Sequence, residues 1–202
     1  MIDVSTDGAI RILTINRPEK ANSLTREMLV VLGDAVVAAN EDETLHAMVL
    51  TGTGKVFSAG ADLEAAKAGL AVDTVWERLS AEISKSPLFT IAALNGTVAG
   101  GAMGMTLACD LRVAVPDAKA FYPVMKLGFL PQPSDTVRLK ALVGPARAKL
   151  ILMAGQKMDA QEALAMGLFD RLSDDPMAEA KAFAADVVGA NRAHVGAVKK
   201  MV

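Results

Sequence analysis

The chain has 202 residues, enough for one domain with a substantial buried core. Hydrophobic residues make up 52% of the chain and aromatic residues only 4%, so aliphatic side chains and methionine must fill that core. The net charge of −2 is close to balanced and the sequence has no basic stripe, which argues against nucleic acid as the main partner. Cys109 is the only cysteine, which excludes an internal disulfide and favours a reducing, cytoplasmic location. Neither a secretory leader nor a membrane-spanning run is recognisable, so we expect no membrane partner.

The first half of the chain alternates between strand and helix patterns. Two strand-like runs flank Asp7-Gly8, a dipeptide typical of a hairpin turn. A helical pattern follows with Thr25 as its N-cap, and the apolar run at 46–52 then predicts a buried strand. Strand, helix and strand patterns continue at 90–96, 100–110 and 111–117. This alternation predicts an α/β domain with parallel crossovers.

The second half is mostly helical in pattern. Helical spacing of apolar residues recurs at 134–144, 145–155, 159–167 and 177–201. We expect loops at 52–62, 69–73 and 128–134. The interpretation is a single domain over 1–202, with a core over about 1–145 and a helical tail over about 146–202 packed on it.

Two glycine-rich segments are candidates for a functional site. Residues 95–110, NGTVAGGAMGMTLACD, contain four glycines and no charged residue before Asp110. Their backbone N–H groups are therefore the main groups that could bind a ligand. A helix start leaves N–H groups unpaired, and glycine lets a ligand oxygen approach them. Residues 52–63 could present a second such donor, and two donors converging on one point would form an oxyanion hole. Tight packing at strand–helix junctions is the alternative.

Two other glycine motifs fit poorly. A phosphate-binding loop ending in Gly54-Lys55 would need a further glycine at the position of Val49. The G-x-G-x-x-G pattern of dinucleotide-binding proteins is not supplied either.

Taken together, five segments resemble the crotonase family, the enoyl-CoA hydratase/isomerase superfamily. The resemblance runs in order over roughly residues 2–175. It implies a crotonase-like β-β-α superhelix (the ClpP/crotonase spiral) with a shortened C-terminal helical region, assembled as a homotrimer or hexamer. The segments are INRPEKANSL (15–24), TGTGKVFSAGADL (51–63), ALNGTVAGGAMGMTLACDLRVA (93–114), GFLPQPSDTVRL (128–139) and MAGQKMDAQEALAMGLFDRL (153–172).

The resemblance implies which residues form the site. The oxyanion donors would be the N–H groups of Ala61 and Gly101. Coenzyme A would enter as part of the thioester substrate, with no metal and no permanently bound cofactor. Asp62 would cap the following helix and hold the loop, and Lys20 would meet a CoA phosphate unless it is an ordinary surface lysine. The coenzyme A contacts implied in this way are Lys20, Ala59, Ala61, Asp62 and Leu63.

The sequence departs from the family where hydratases carry two glutamates. The matching positions hold Gly104 and Val124, neither of which can transfer a proton. Asp135 stands where the family usually has glycine, and Tyr122 lies two residues before Val124, so both are candidate proton-transfer groups. Alternatively, Asp135 is a helix N-terminal acid and Tyr122 a packing residue.

These features predict an acyl-CoA enzyme that stabilises a thioester enolate but hydrates enoyl-CoA poorly. A non-catalytic acyl-CoA-binding or scaffold protein is the alternative from another class. A nucleotide-binding α/β protein is a third, weaker interpretation.

Overall fold

Ten strands and nine α-helices make up the fold in the computed structural model, which describes residues 1–202. The strands are β1 (Ile2–Asp7), β2 (Ile10–Ile15), β3 (Ala47–Gly52), β4 (Val56–Ser58), β5 (Phe89–Leu94), β6 (Thr97–Ala99), β7 (Leu111–Ala114), β8 (Lys119–Phe121), β9 (Met158–Asp159) and β10 (Arg171–Leu172). The helices are α1 (Arg26–Glu41), α2 (Leu63–Lys67), α3 (Val75–Ser84), α4 (Ala102–Ala108), α5 (Val124–Leu127), α6 (Pro133–Leu152), α7 (Ala160–Ala165), α8 (Pro176–Gly189) and α9 (Arg192–Met201). Short 3-10 turns occur at Pro18–Lys20 and Leu70–Val72.

The larger sheet has the strand order β1-β2-β3-β5-β7-β10. β1 and β2 form the predicted antiparallel hairpin, in which Asp7 pairs with Ile10. Every other neighbouring pair in this sheet is parallel, as the strand–helix alternation predicts. Because parallel strands need crossovers, helices cover both faces of the sheet and its central strands are mostly apolar.

β3 shows how this two-sided burial works. Its side chains alternate between the faces, so Met48 and Leu50 join the main core, which includes residues of α1, α3 and α4. Ala47 and Val49 belong to a second cluster that includes residues of α8. The continuous apolar run at this strand follows from burial on both sides.

The smaller sheet has the strand order β4-β6-β8-β9 and lies beside the larger one in a repeating chain path. Three times, a strand of the larger sheet is followed by a strand of the smaller sheet and then by a helix: β3 to β4, β5 to β6 and β7 to β8. This β-β-α repeat is the predicted spiral. The prediction of one loop over 52–62 is therefore wrong, because this segment contains β4. The strand has only three residues, too few to show an alternating pattern in the sequence.

The C-terminal region contains two breaks and two short strands. α6 is interrupted at Gly144, where φ is +78° and Pro145 follows, so the two helical patterns predicted at 134–155 are distinct. The single pattern at 177–201 is instead two helices, because the chain leaves helical geometry at Ala190 and restarts with Asn191 as N-cap. β9 and β10 pair with β8 and β7, so this region adds strands as well as helices to the core. No helix is both long and apolar enough to cross a bilayer.

Candidate active site

A mostly apolar cavity of about 370 Å³ lies where β4, β6 and β8 end. Both glycine-rich segments reach it. Its size falls within the range of small-molecule sites. The lining residues used below are Ala59, Ala61, Leu63, Trp76, Gly101, Tyr122, Val124 and Phe129.

The turn after β4 is held by a parallel strand-like contact with residues 21–24. The Ala59 N–H donates to the Ala21 carbonyl at 3.0 Å, and the Asp62 N–H donates to the Leu24 carbonyl at 2.9 Å. Between them, the Ala61 N–H donates to no backbone or side-chain acceptor. Ala61 lines the cavity, so an unpaired donor lies at its wall.

The turn before α4 leaves a second donor unpaired. The Gly100 N–H donates to the Phe121 carbonyl at 3.1 Å, which ties this turn to β8, and φ of Gly100 is +56°. The Gly101 carbonyl accepts from the Gly104 N–H at 3.1 Å, but the Gly101 N–H has no acceptor. Gly101 also lines the cavity.

The two turns touch each other at Gly60. A Cβ atom on Gly60 would stand 2.8 Å from the Ala99 carbonyl oxygen and 3.2 Å from the Gly101 nitrogen. φ of Gly60 is +89°, which also favours glycine. A side chain at this position would therefore separate the two turns, and the absence of one keeps the Ala61 and Gly101 amides close together at one cavity wall.

Two residues that the sequence analysis did not single out as functional hold the chain on either side of β4. Asn22 is fully buried, and its Nδ2 donates to the carbonyls of Thr53 at 2.9 Å and Val56 at 2.7 Å. Arg17 donates from Nη1 to Asp62 Oδ2 at 2.9 Å, and this bond is the main reason that the pKa of Asp62 is lowered. Both belong to the segment INRPEKANSL, whose Arg-Pro and Asn were the available signal.

Three of the five residues that the resemblance assigns to coenzyme A binding line the cavity. Ala59, Ala61 and Leu63 line it. Asp62 is the N-cap of α2, as predicted, since its side chain accepts from the backbone amides of the helix's first turn. Lys20 is exposed on the 3-10 turn and does not line the cavity.

Asp135 and Tyr122 form a buried pair beside α4. The Tyr122 hydroxyl donates to Asp135 Oδ2 at 2.9 Å, and both residues are almost fully buried. Asp135 Oδ1 is buried and has no hydrogen-bond partner. A Cβ atom on Gly104 would stand 2.6 Å from that Oδ1, so the carboxyl group fills the space that a side chain at 104 would need. Tyr122 and Val124 line the cavity, whereas Asp135 lies behind Tyr122.

Burial sets the protonation of this pair. Loss of hydration raises the pKa of Asp135 from its usual 3.8 to about 6, and the Tyr122 hydrogen bond and the Arg138 charge only partly oppose this. Burial, followed by the nearby Asp135 charge, raises the pKa of Tyr122, so its hydroxyl stays protonated. Asp135 is therefore the group of this site that titrates near neutral pH.

The raised pKa of Asp135 predicts a pH-dependent loss of stability. Between pH 3.8 and about 6 the native protein holds a proton that the unfolded chain has lost, so this contribution is present below pH 3.8 and lost as pH rises through about 6. Relative to Asp135→Asn, which cannot ionise, we expect the wild-type free energy of unfolding to fall by about 3 kcal/mol across that window. Urea unfolding over this pH range measures it. Parallel pH curves for the two proteins would show that Asp135 carries no such shift.

No group of three or more His, Cys, Asp or Glu side chains is placed to hold a metal ion. The trimeric or hexameric assembly and the cytoplasmic location remain predictions.

Comparison with known proteins agrees with the spiral fold. The enoyl-CoA hydratase/isomerase family model matches residues 5–202, and the chain belongs to this family. The probable enoyl-CoA hydratase EchA14 of Mycobacterium tuberculosis is 38% identical over 97% of this chain and 78% of its own length.

Solved structures show the same fold. Pseudomonas aeruginosa DspI superposes with a TM-score of 0.91 at 31% identity, over 98% of this chain and 84% of that one. An enoyl-CoA hydratase from Bacillus anthracis superposes with a TM-score of 0.91 at 30% identity, over 98% of this chain and 81% of that one. The crotonase resemblance and the predicted fold class are confirmed.

Proposed function

We propose that this protein binds a coenzyme A thioester and polarises its carbonyl through the Ala61 and Gly101 N–H groups. The observation that carries the proposal is that both amides lack an acceptor, belong to two touching turns and open on one apolar cavity. Two such donors stabilise the negative charge that develops on a thioester oxygen when an enolate forms. The family and the hydratase names of its relatives support a thioester as the ligand.

Coenzyme A would lie along the turn after β4. Ala59, Ala61 and Leu63 line the cavity there and would contact the adenine ring of coenzyme A. Lys20 precedes Ala21, whose carbonyl accepts a hydrogen bond from the Ala59 N–H. The Lys20 backbone therefore lies next to this turn, and its exposed side chain would meet a phosphate.

The Tyr122–Asp135 pair would move the proton. The α-carbon proton of the thioester passes to the Tyr122 oxygen while the Tyr122 hydroxyl proton passes to Asp135 Oδ2, leaving the enolate oxygen on the two amides. Return of a proton to the α-carbon gives exchange, and return to the γ-carbon of an unsaturated chain moves the double bond. Asp135 is ionised above its pKa of about 6, so it can accept that proton at neutral pH.

The site would lack the acid and base groups that hydration of a double bond requires. Gly104 and Val124, at the positions that the family resemblance assigns to the hydratase glutamates, cannot activate water. We expect crotonyl-CoA hydration at least about a hundredfold slower than by a two-glutamate hydratase, because each general acid or base contributes about 10²–10⁴. Loss of enoyl absorbance measures the rate. Hydration at the rate of an ordinary hydratase would contradict this assignment.

Exchange in heavy water tests the proposed enolate without knowledge of the natural substrate. Butyryl-CoA is incubated with the protein in D₂O, and mass spectrometry follows deuterium at the α-carbon, with calorimetry measuring binding. Binding with exchange supports the enzyme. Failure of butyryl-CoA and longer straight-chain thioesters to bind would overturn the proposed function.

A non-catalytic acyl-CoA-binding protein is the second candidate. It is favoured by one observation, that Asp135 lies behind Tyr122 and does not line the cavity. Binding without exchange in the same experiment would select it, and any converted thioester would exclude it.

A further inference from the structure

The indole ring of Trp76 forms the cavity wall next to one of the oxyanion donors. Trp76 lies in the first turn of α3 and is only 4% exposed, yet it lines the cavity with Gly101. Its Cε2, Cδ2 and Cη2 atoms lie 3.0, 3.1 and 3.1 Å from the point where a Cβ on Gly101 would stand. Cδ2 and Cη2 are on opposite sides of the six-membered ring, so nearly equal distances place that point over the ring face. The flat side of the indole therefore covers Gly101.

The ring is held in this orientation by polar contacts. Its Nε1 donates to the Leu70 carbonyl at 2.9 Å. The start of α3 is fixed by Asp73, which accepts from the Val75 N–H at 2.9 Å and forms an ion pair with Arg26 at 2.9 Å. The wall is therefore preorganised before any ligand binds.

A thioester bound at the Gly101 N–H must place its first carbons near this wall. The carbonyl oxygen would lie about 2.9 Å from the amide nitrogen, and the carbonyl carbon and α-carbon follow within two bonds. A flat ring accepts an unsubstituted α-carbon beside it, while a methyl group projecting toward the ring has no space. Packed protein walls yield little to one extra methyl group.

We propose that Trp76 is a specificity-determining residue that restricts the substrates to thioesters unbranched at the α-carbon. This inference rests on the proposed thioester function, because it needs the carbonyl at Gly101. One methyl group in a packed apolar site changes binding by about 10–200-fold. Straight-chain acyl and enoyl thioesters are thus the substrate class, and thioesters whose α-methyl group must face the ring bind more weakly.

Two ligands that differ only at the α-carbon test the wall. Butyryl-CoA has two hydrogens there, and 2,2-dimethylbutyryl-CoA carries a methyl on each face, so one must point at the ring. We expect wild-type protein to bind butyryl-CoA at least about tenfold more tightly by calorimetry. Trp76→Ala, and Trp76→Phe if the alanine variant does not fold, should reduce that ratio at least about threefold. The control is Phe183→Ala, which removes a half-buried aromatic side chain of α8 that does not line the cavity and should leave the ratio unchanged.

Trp76 is the only tryptophan, so its fluorescence reports on this wall in the unmodified protein. Butyryl-CoA should change that fluorescence more than coenzyme A alone, because only the thioester carries an acyl group. If butyryl-CoA binds but the two thioesters bind equally, or the fluorescence responses are the same, the inference about Trp76 is wrong and the proposed function survives. If neither thioester binds, the proposed function fails first.

Discussion

Asp135→Asn is expected to lower the rate of α-proton exchange in butyryl-CoA by about 10²–10⁴. The amide keeps the size of the side chain but cannot take a proton from the Tyr122 hydroxyl, which donates to Oδ2 at 2.9 Å. Affinity for butyryl-CoA should change little, because Asp135 does not line the cavity. Wild-type exchange should itself fall as pH drops through about 6, where Asp135 gains its proton, and the variant should lose this dependence.

Two variants make that result interpretable. Tyr122→Phe retains the ring and removes the hydroxyl, so it should reduce exchange in the same direction. Asp174→Asn alters an exposed acid and should leave exchange unchanged. Wild-type exchange rates in Asp135→Asn would remove Asp135 from the mechanism and leave the oxyanion site without a known base.

Gly60→Ala is expected to reduce exchange by about 10²–10³, the cost of losing one oxyanion donor. The new methyl group would stand 2.8 Å from the Ala99 oxygen and 3.2 Å from the Gly101 nitrogen, so the two turns must move apart. The backbone at φ +89° adds strain of about 1–2 kcal/mol. Exchange assays and urea unfolding should therefore both show a loss.

Gly69→Ala is the matched control for Gly60→Ala. Gly69 has a similar φ of +103°, but no atom lies within 4 Å of a Cβ placed there. It should show a comparable backbone penalty in unfolding and retain wild-type exchange. Equal exchange in the two variants would mean that the contact between the turns does not hold the donors in place.

Local patterns were sufficient to predict much of the fold. The apolar run of β3 reflects burial on both faces of the sheet. The N-cap of α1, in which the Thr25 hydroxyl oxygen accepts from the Met28 N–H, depends only on residues that are neighbours in the sequence. β4 was missed because three residues between glycine-rich turns carry no periodicity. The break at Ala190 had a usable local signal, since Asn191 is a good N-cap residue.

The site was harder to predict because its geometry is tertiary. The absence of an acceptor for the Ala61 N–H depends on how residues 21–24 pair with the turn, which no local pattern contains. The approach of Asp135 to Gly104 depends on the packing of α6 against α4. Trp76 went unnoticed, because a lone tryptophan in a helix gives no indication of which backbone it covers. Family motifs indicated the donors and marked Asp135 as a candidate acid, whereas the Trp76 wall and the burial of Asp135 against Tyr122 required the structure.

Infrared spectroscopy of a bound thioester measures directly whether the Ala61 and Gly101 amides polarise its carbonyl group. Butyryl-CoA labelled with ¹³C at the carbonyl gives a difference band for that group alone. Two hydrogen bonds from the Ala61 and Gly101 amides should shift the band to lower frequency than in water, with a smaller shift in Gly60→Ala. If calorimetry confirms the complex but the carbonyl band stays at its aqueous frequency, or moves higher, the two amides do not polarise the thioester.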